Sequence, residues 1–241
     1  MPQQARLRET DAQGDGREMA SDEASGEGPM AGALGVVLAG GASRRMGRDK
    51  AALLIGGEPL LRRAVARLRL ALAEVIVVGA PACASLLPGS RIVADAWPGR
   101  GPLGALATAL RVIEATEATG WALLVACDMP FTQPALLRAM ARLALTTPDV
   151  DVVALRGPRG LEPLHAVYHR RCLPLALARL AGDDASLQGL LATARVREVT
   201  PDDARRLDPS GRSAFNANTP EEWRLALRLA DEEREASADP G

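Results

Sequence analysis

Val36–Leu53 reads VVLAGGASRRMGRDKAAL. With Leu34 and Gly35 in front of it, the segment opens as an unbroken apolar run, LGVVLA, that stops at Ala39. Two glycines follow, then Arg44, Arg45, Arg48 and Lys50, with almost no bulk between them. An apolar run of this length bounded by glycine is a strand buried on both faces, the kind that builds parallel sheets. A strand that opens into glycines lets the backbone approach a ligand and aim N–H groups at it. The cations behind it add mobile positive charge. The stretch therefore predicts a cradle for a small, highly anionic group, a solvated turn with ordinary surface arginines being the alternative. It is not a Walker A loop, because Arg48-Asp49-Lys50-Ala51 follows Gly47 and no Ser or Thr follows the lysine. No G-x-G-x-x-G dinucleotide fingerprint is present here either.

Working outward, apolar strands and amphipathic helices alternate. Pro59–Leu72 places Leu61, Val65, Leu68 and Leu72 on one helical face and its arginines on the other. Val75–Val78 and Arg91–Ala94 read as strands, and Pro102–Ala115 as a helix opened by proline. Ala122–Ala126 is a further strand, Pro134–Leu145 a helix, and Asp151–Leu155 and Leu164–Tyr168 later strands. CLPLALARLA and SLQGLLA are short helices, and Pro220–Ala230 is the last. This alternation predicts an α/β fold: a mostly parallel sheet with helices on both faces. Residues 1–30, rich in Gly, Ser and charge, are expected to be a disordered leader. Residues 31–230 form the one domain, and 231–241 are expected to be a disordered tail.

Composition excludes several classes. Lys plus Arg total 29 against 30 Asp plus Glu, so the basic excess of a nucleic-acid binder is missing. The three scattered cysteines (Cys83, Cys127 and Cys172) have no C-x-x-C spacing and support neither a disulfide framework nor a zinc site. No apolar run approaches transmembrane length, and the N-terminus has no signal-peptide core, so a cytoplasmic protein with no membrane partner is expected.

Ligands of open parallel sheets bind outside the carboxyl ends of the strands. Three strand ends carry residues that packing does not require: Gly40-Gly41 with the basic loop, Asp95, and Asp128 in CDMPF. A carboxylate at the end of a buried strand is costly unless paired or bound to metal. Magnesium would satisfy Asp128 together with substrate phosphates, whereas a turn or helix-cap aspartate is the structural alternative. Asp95, in Asp-Ala-Trp-Pro, could equally be a turn residue. His165 alternates with apolar neighbours and reads as a packed or edge histidine, and no Ser-His-Asp arrangement competes. Phosphates, magnesium and cations together point to phosphoryl or nucleotidyl transfer.

LAGGASRRMGRDKA resembles the nucleotidyltransferase signature L-A-G-G-x-S-x-R-M-G-x-D-K. GPLGAL, CDMPF, EPLHAVY and FNANTPEE resemble, in order and spacing, the molybdenum cofactor guanylyltransferase (MobA) family, over about Leu34 to Leu229. The resemblance implies a Rossmann-like nucleotidyltransferase fold and transfer of GMP from Mg-GTP to the terminal phosphate of molybdopterin, with release of pyrophosphate. It implies that Leu38, Ala39, Gly40 and Gly41 contact the nucleotide, that Lys50 holds phosphates and that Asp95 binds on the nucleotide side. Asp128 would hold Mg2+ and be the most essential residue. Arg45 would neutralise charge as pyrophosphate leaves, and Asn216 and Asn218 would lie towards the pterin. A monomer is expected, with transient contact to cofactor-insertion proteins or apo-molybdoenzymes. One departure stands out: where some members carry an asparagine at the end of the second strand, this chain has Val78 and Gly79. Two rivals remain: a CTP-dependent molybdopterin cytidylyltransferase, whose members tend to carry L-A-A-G where this chain has L-A-G-G, and a nucleotidyltransferase acting on another small-molecule phosphate, which shares the opening signature. A non-catalytic nucleotide-binding adaptor is a third.

Overall fold

The computed structural model describes residues 28–39, 50–79, 81–116 and 119–238. A seven-stranded sheet runs through its centre. In chain order the strands are β1 (Met30–Ala39), β4 (Leu72–Gly79), β5 (Arg91–Val93), β6 (Trp121–Ala126), β7 (Val152–Gly157), β8 (Gly160–His169) and β9 (Val196–Val199). A short antiparallel hairpin, β2 (Leu54–Ile55) and β3 (Glu58–Pro59), stands apart from it. The helices are α1 (Leu60–Ala71), α2 (Gly101–Thr116), α3 (Pro134–Thr146), α4 (Cys172–Ala181), α5 (Leu187–Leu191), α6 (Pro201–Arg205) and α7 (Pro220–Ala238).

The strand order is β5-β4-β1-β6-β8-β7-β9. Strands β5, β4, β1 and β6 are parallel, β8 is antiparallel to both neighbours, and β9 is parallel to β7. The expected mostly parallel α/β sheet is present. Its strands are nearly continuous apolar runs because both faces are covered. Odd positions of β1 and β6 (Ala33, Val37, Leu123, Val125) meet α1 and α3, while even positions (Leu34, Val36, Leu38, Ala122, Leu124) meet α2 and α4. Gly35 is the exception in β1. A Cβ there would lie 2.9 Å from Leu68 Cδ2, so glycine lets α1 seat directly on the strand.

A third, smaller cluster joins Ile55, Leu60, Phe131, Ala217, Ala226 and Leu229, with Phe215 and Trp223 against it. It anchors α7 and the loop before it beneath the end of β6. This explains a correction to the expected tail. Helix α7 runs on to Ala238 instead of stopping near Ala230. Glu233, beyond the expected end, pairs with Arg63 and with Arg67 (2.9 Å) on α1, so residues past Ala230 have tertiary partners. Of the expected leader, Gly28–Met30 are described and Met30 already belongs to β1, while residues 1–27 lie outside the described residues. The apolar periodicity did not reveal β9 or the β2–β3 hairpin, whose strands are too short to carry a pattern.

Candidate active site

The parallel strands β4, β1 and β6 end on one edge of the sheet. Gly79, at the end of β4, lies in register with Ala39. A Cβ at Gly79 would be 3.0 Å from Ala39 Cβ and 3.2 Å from its carbonyl oxygen. The end of β4 therefore offers backbone at Gly79, because a side chain there would press on β1. Leu38 is buried, and its carbonyl accepts from Cys127 N (3.1 Å), binding the end of β1 to the start of the CDMPF turn.

That turn is held from several directions. Met129 N donates to Ala126 O (3.2 Å), and Ala217 N donates to the Asp128 carbonyl (3.1 Å). Arg63 Nε donates to Pro130 O (2.8 Å), and Gln133 N donates to Ser213 Oγ (3.0 Å). The rings of Phe131 and Phe215 meet edge to face with centroids 5.7 Å apart. The turn after β6 and the C-terminal FNANTP loop are thus one packed unit.

Lys50 opens a single 3-10 turn, Lys50–Ala52, pinned by the fully buried Ala51. Its ammonium lies 3.1 Å from Asp128 Oδ2 and donates to Asn218 Oδ1 at 2.8 Å. Three segments far apart in sequence therefore meet at one amine. Both members of the ion pair are largely sheltered, with side chains 14% and 16% exposed. The other carboxylate oxygen, Asp128 Oδ1, is buried and has no hydrogen-bond partner among the described residues.

Among the described residues no group of three or more His, Cys, Asp or Glu side chains could hold a metal ion. A closed protein cage is therefore not what this site offers. A lone carboxylate with one orphaned buried oxygen fits a hard divalent cation that takes its remaining ligands from phosphates and water.

Asn218 owes its place to the start of α7. Glu222 Oε2 accepts from Asn218 N (2.8 Å) and Thr219 N (2.9 Å), and Thr219 Oγ1 accepts from Glu222 N (3.1 Å). This is a capping box, with Pro220 as the first helical residue. Asn216 does not join the amine, since its Nδ2 donates to Ala214 O (3.2 Å). Asp95, just past β5, takes a role in the fold. Its Oδ1 accepts from Trp97 N (2.9 Å) and from the buried Thr108 hydroxyl (3.1 Å), tying the turn to α2. Gly40, Gly41, Arg44, Arg45 and Arg48 lie outside the described residues.

His165 is fully buried on β8, with Nε2 3.5 Å from Ser213 Oγ. Burial pushes its pKa down to about 4, against the weaker opposing pull of the Ser213 backbone and Asp208. It is a neutral support beneath the FNANTP loop, as its apolar alternation in sequence predicts. Ser213 N in turn donates to the buried Asp208 carboxylate (2.8 Å). The capping box was signalled by T-P-E-E. The Asp208–Ser213–His165 support carried no sequence signal, because it joins residues 48 positions apart.

Lys50, Asp128 and Asn218 thus meet beside the carboxyl end of β6 in a mostly parallel sheet, and the chain is a nucleotidyltransferase. The chain belongs to the MobA-like NTP transferase family, whose family model matches residues 35–199. It is 36% identical over 202 residues to the probable molybdenum cofactor guanylyltransferase of Pelotomaculum thermopropionicum, covering 84% of this chain and 95% of that protein. Its fold is similar to that of molybdopterin-guanine dinucleotide biosynthesis protein A from Archaeoglobus fulgidus: TM-score 0.71, 21% identity, 83% of this chain and 99% of that one. It is also similar to a Mycobacterium tuberculosis protein solved in complex with manganese, with TM-score 0.57, 22% identity, and 82% and 98% coverage. No helix among the described residues is long and apolar enough to cross a membrane.

Proposed function

We propose that this nucleotidyltransferase moves GMP from GTP to the terminal phosphate of molybdopterin and releases pyrophosphate. The observation that carries the reading is the convergence of Lys50, Asp128 and Asn218 within 3.1 Å of one ammonium nitrogen. It brings the opening motif, the CDMPF turn and the C-terminal loop to one point. The similarity to probable molybdenum cofactor guanylyltransferases supports this choice of substrates.

In this reading an acceptor phosphate oxygen attacks the α-phosphorus of GTP. The α–β phosphoanhydride bond breaks, and its electron pair leaves with pyrophosphate. The attacking oxygen is already anionic near neutral pH, so no strong general base is required. The work of the protein is to hold anions together. Lys50 binds and screens the phosphates, and Arg45 would neutralise charge as pyrophosphate leaves. Leu38, Ala39, Gly40 and Gly41 would contact the nucleotide, and Asp95 would bind on the nucleotide side. Asn218 and Asn216 would lie towards the pterin acceptor. Asp128 would hold Mg2+, which when bound supplies charge neutralisation at the phosphates.

The test is turnover with molybdopterin and either GTP or CTP, reading pyrophosphate release and the dinucleotide formed. Guanine dinucleotide as the dominant product is expected. Preference for CTP would move the protein to the cytidylyl reaction with the same site. Nucleotide binding without pyrophosphate release would favour the adaptor.

A further inference from the structure

This inference rests on the function proposed above at one point, the assignment of Asp128 as the metal's carboxylate. We propose that Lys50 is a stand-in for that metal. In the substrate-free enzyme its ammonium blocks the Asp128 carboxylate against free divalent cations, so that metal enters only as a metal–nucleotide complex whose phosphates draw Lys50 away.

The geometry carries the argument. The ammonium has three hydrogens, and two are directed at Asp128 Oδ2 (3.1 Å) and Asn218 Oδ1 (2.8 Å). Within the pair, the ammonium cancels the carboxylate charge that would attract a cation. Asp128 belongs to no group of three or more His, Cys, Asp or Glu side chains that could hold a metal among the described residues, so no protein cage draws the cation in. A divalent ion approaching the free Oδ1 would sit within a few ångströms of the ammonium, where like charges repel strongly even at the dielectric of a protein surface.

Nucleotide reverses the balance. A triphosphate offers the ammonium several negative oxygens, and the four-carbon stem of lysine lets it swing to them. Asp128 is then left with its buried oxygen orphaned and its other oxygen released, which favours a cation at that moment. Asn218 suits the parking place because a neutral amide holds the amine without competing with phosphate for it.

Lys50 therefore acts in two directions. It opposes free metal and favours metal–nucleotide. A lysine that only binds phosphates would have no effect on free metal, and one that only stabilises the fold would affect both alike.

The experiment measures Mn2+ binding to the full chain by the electron paramagnetic resonance signal of the free ion, without nucleotide, and then Mn-GTP binding by calorimetry. The proteins are the parent, Lys50→Met, Lys50→Gln, Asp128→Asn and the Lys50→Met/Asp128→Asn double variant, each checked for an unchanged thermal transition. Both Lys50 variants should bind free Mn2+ at least about tenfold more tightly than the parent, and Mn-GTP about tenfold or more weakly. The double variant should lose the gain. Free-Mn2+ affinity that is unchanged or lower in both Lys50 variants overturns the stand-in role while leaving the proposed reaction intact. A gain that survives Asp128→Asn places the metal elsewhere, and overturns the metal assignment together with this inference.

Discussion

The two sides of the sheet reach the site in different ways. On one side β5, β4, β1 and β6 run parallel and end together, so the strand ends themselves deliver Ala39, Gly79 and the Asp128 turn. On the other side β8 runs antiparallel, and what arrives at the site is a loop from the C-terminus. That loop is held by polar contacts and a small apolar cluster: Ser213 over His165, Ala217 on Asp128, Phe215 against Phe131, and Asn218 braced by Glu222. Sheet-borne residues are fixed by the core and should tolerate changes in their surroundings. Loop-borne residues depend on each supporting bond.

The largest expected effect falls on the sheet-borne side. Asp128→Asn should reduce turnover by roughly 10³-fold or more, since it removes the charge aimed at the reacting phosphates. Asparagine keeps an oxygen that can still accept from Lys50, so the variant should keep its circular dichroism spectrum and melt within a few degrees of the parent. Turnover within tenfold of the parent would break the assignment.

On the loop-borne side, Asn218→Ala removes the neutral partner of Lys50 and, under the proposed function, the group that orients the acceptor. Turnover should fall by roughly 10- to 100-fold through mispositioning. GTP affinity should change less than turnover, because Asn218 reaches the nucleotide only through Lys50. Asn216→Ala should have a smaller effect, because that amide is turned back to Ala214 O. Equal losses in the two variants would remove the distinction drawn between them.

His165 tests the support under the loop through pH. Its folded pKa of about 4 lies below the ordinary 6.5, so the neutral ring is the form the fold accepts. The associated stability is complete above pH 6.5 and is lost as pH falls towards 4, by roughly 3 kcal/mol. Denaturant unfolding at pH 7 and at pH 4.5 measures it. His165→Gln should show a flatter fall across that window. The same slope in both proteins would place the titrating group elsewhere.

The contrast also explains what could be read from the sequence. LGVVLA and ALLVA declare buried parallel strands by their unbroken apolar runs, and the residues after them inherit a place at the sheet's edge. Lys50 and Asp128 were legible for that reason. Asp95 was legible as a strand-end carboxylate, but its use as a turn acceptor for Trp97 and Thr108 needed coordinates. Asn218 could be placed only through its motif, because nothing in local periodicity says that a loop 168 residues away reaches Lys50. The extension of α7 was hidden because the sequence after Ala230 is polar, and Glu233 gains its partners from α1.

The smallest effect separates position from charge within that loop. Glu222 accepts the N–H groups of Asn218 and Thr219 and carries a negative charge at the start of α7, where the helix dipole welcomes it. Glu222→Ala removes both and should cost about 1 kcal/mol of stability, with a few-fold loss of turnover as Asn218 drifts. Glu222→Gln keeps an oxygen at the same reach and removes only the charge. If the bond is what matters, the Gln variant restores turnover almost fully while recovering only part of the lost stability. If Gln and Ala lose turnover equally, the carboxylate acts through its charge on the nearby Lys50, and Asn218 is held in place by the Phe215 and Ala217 anchors alone.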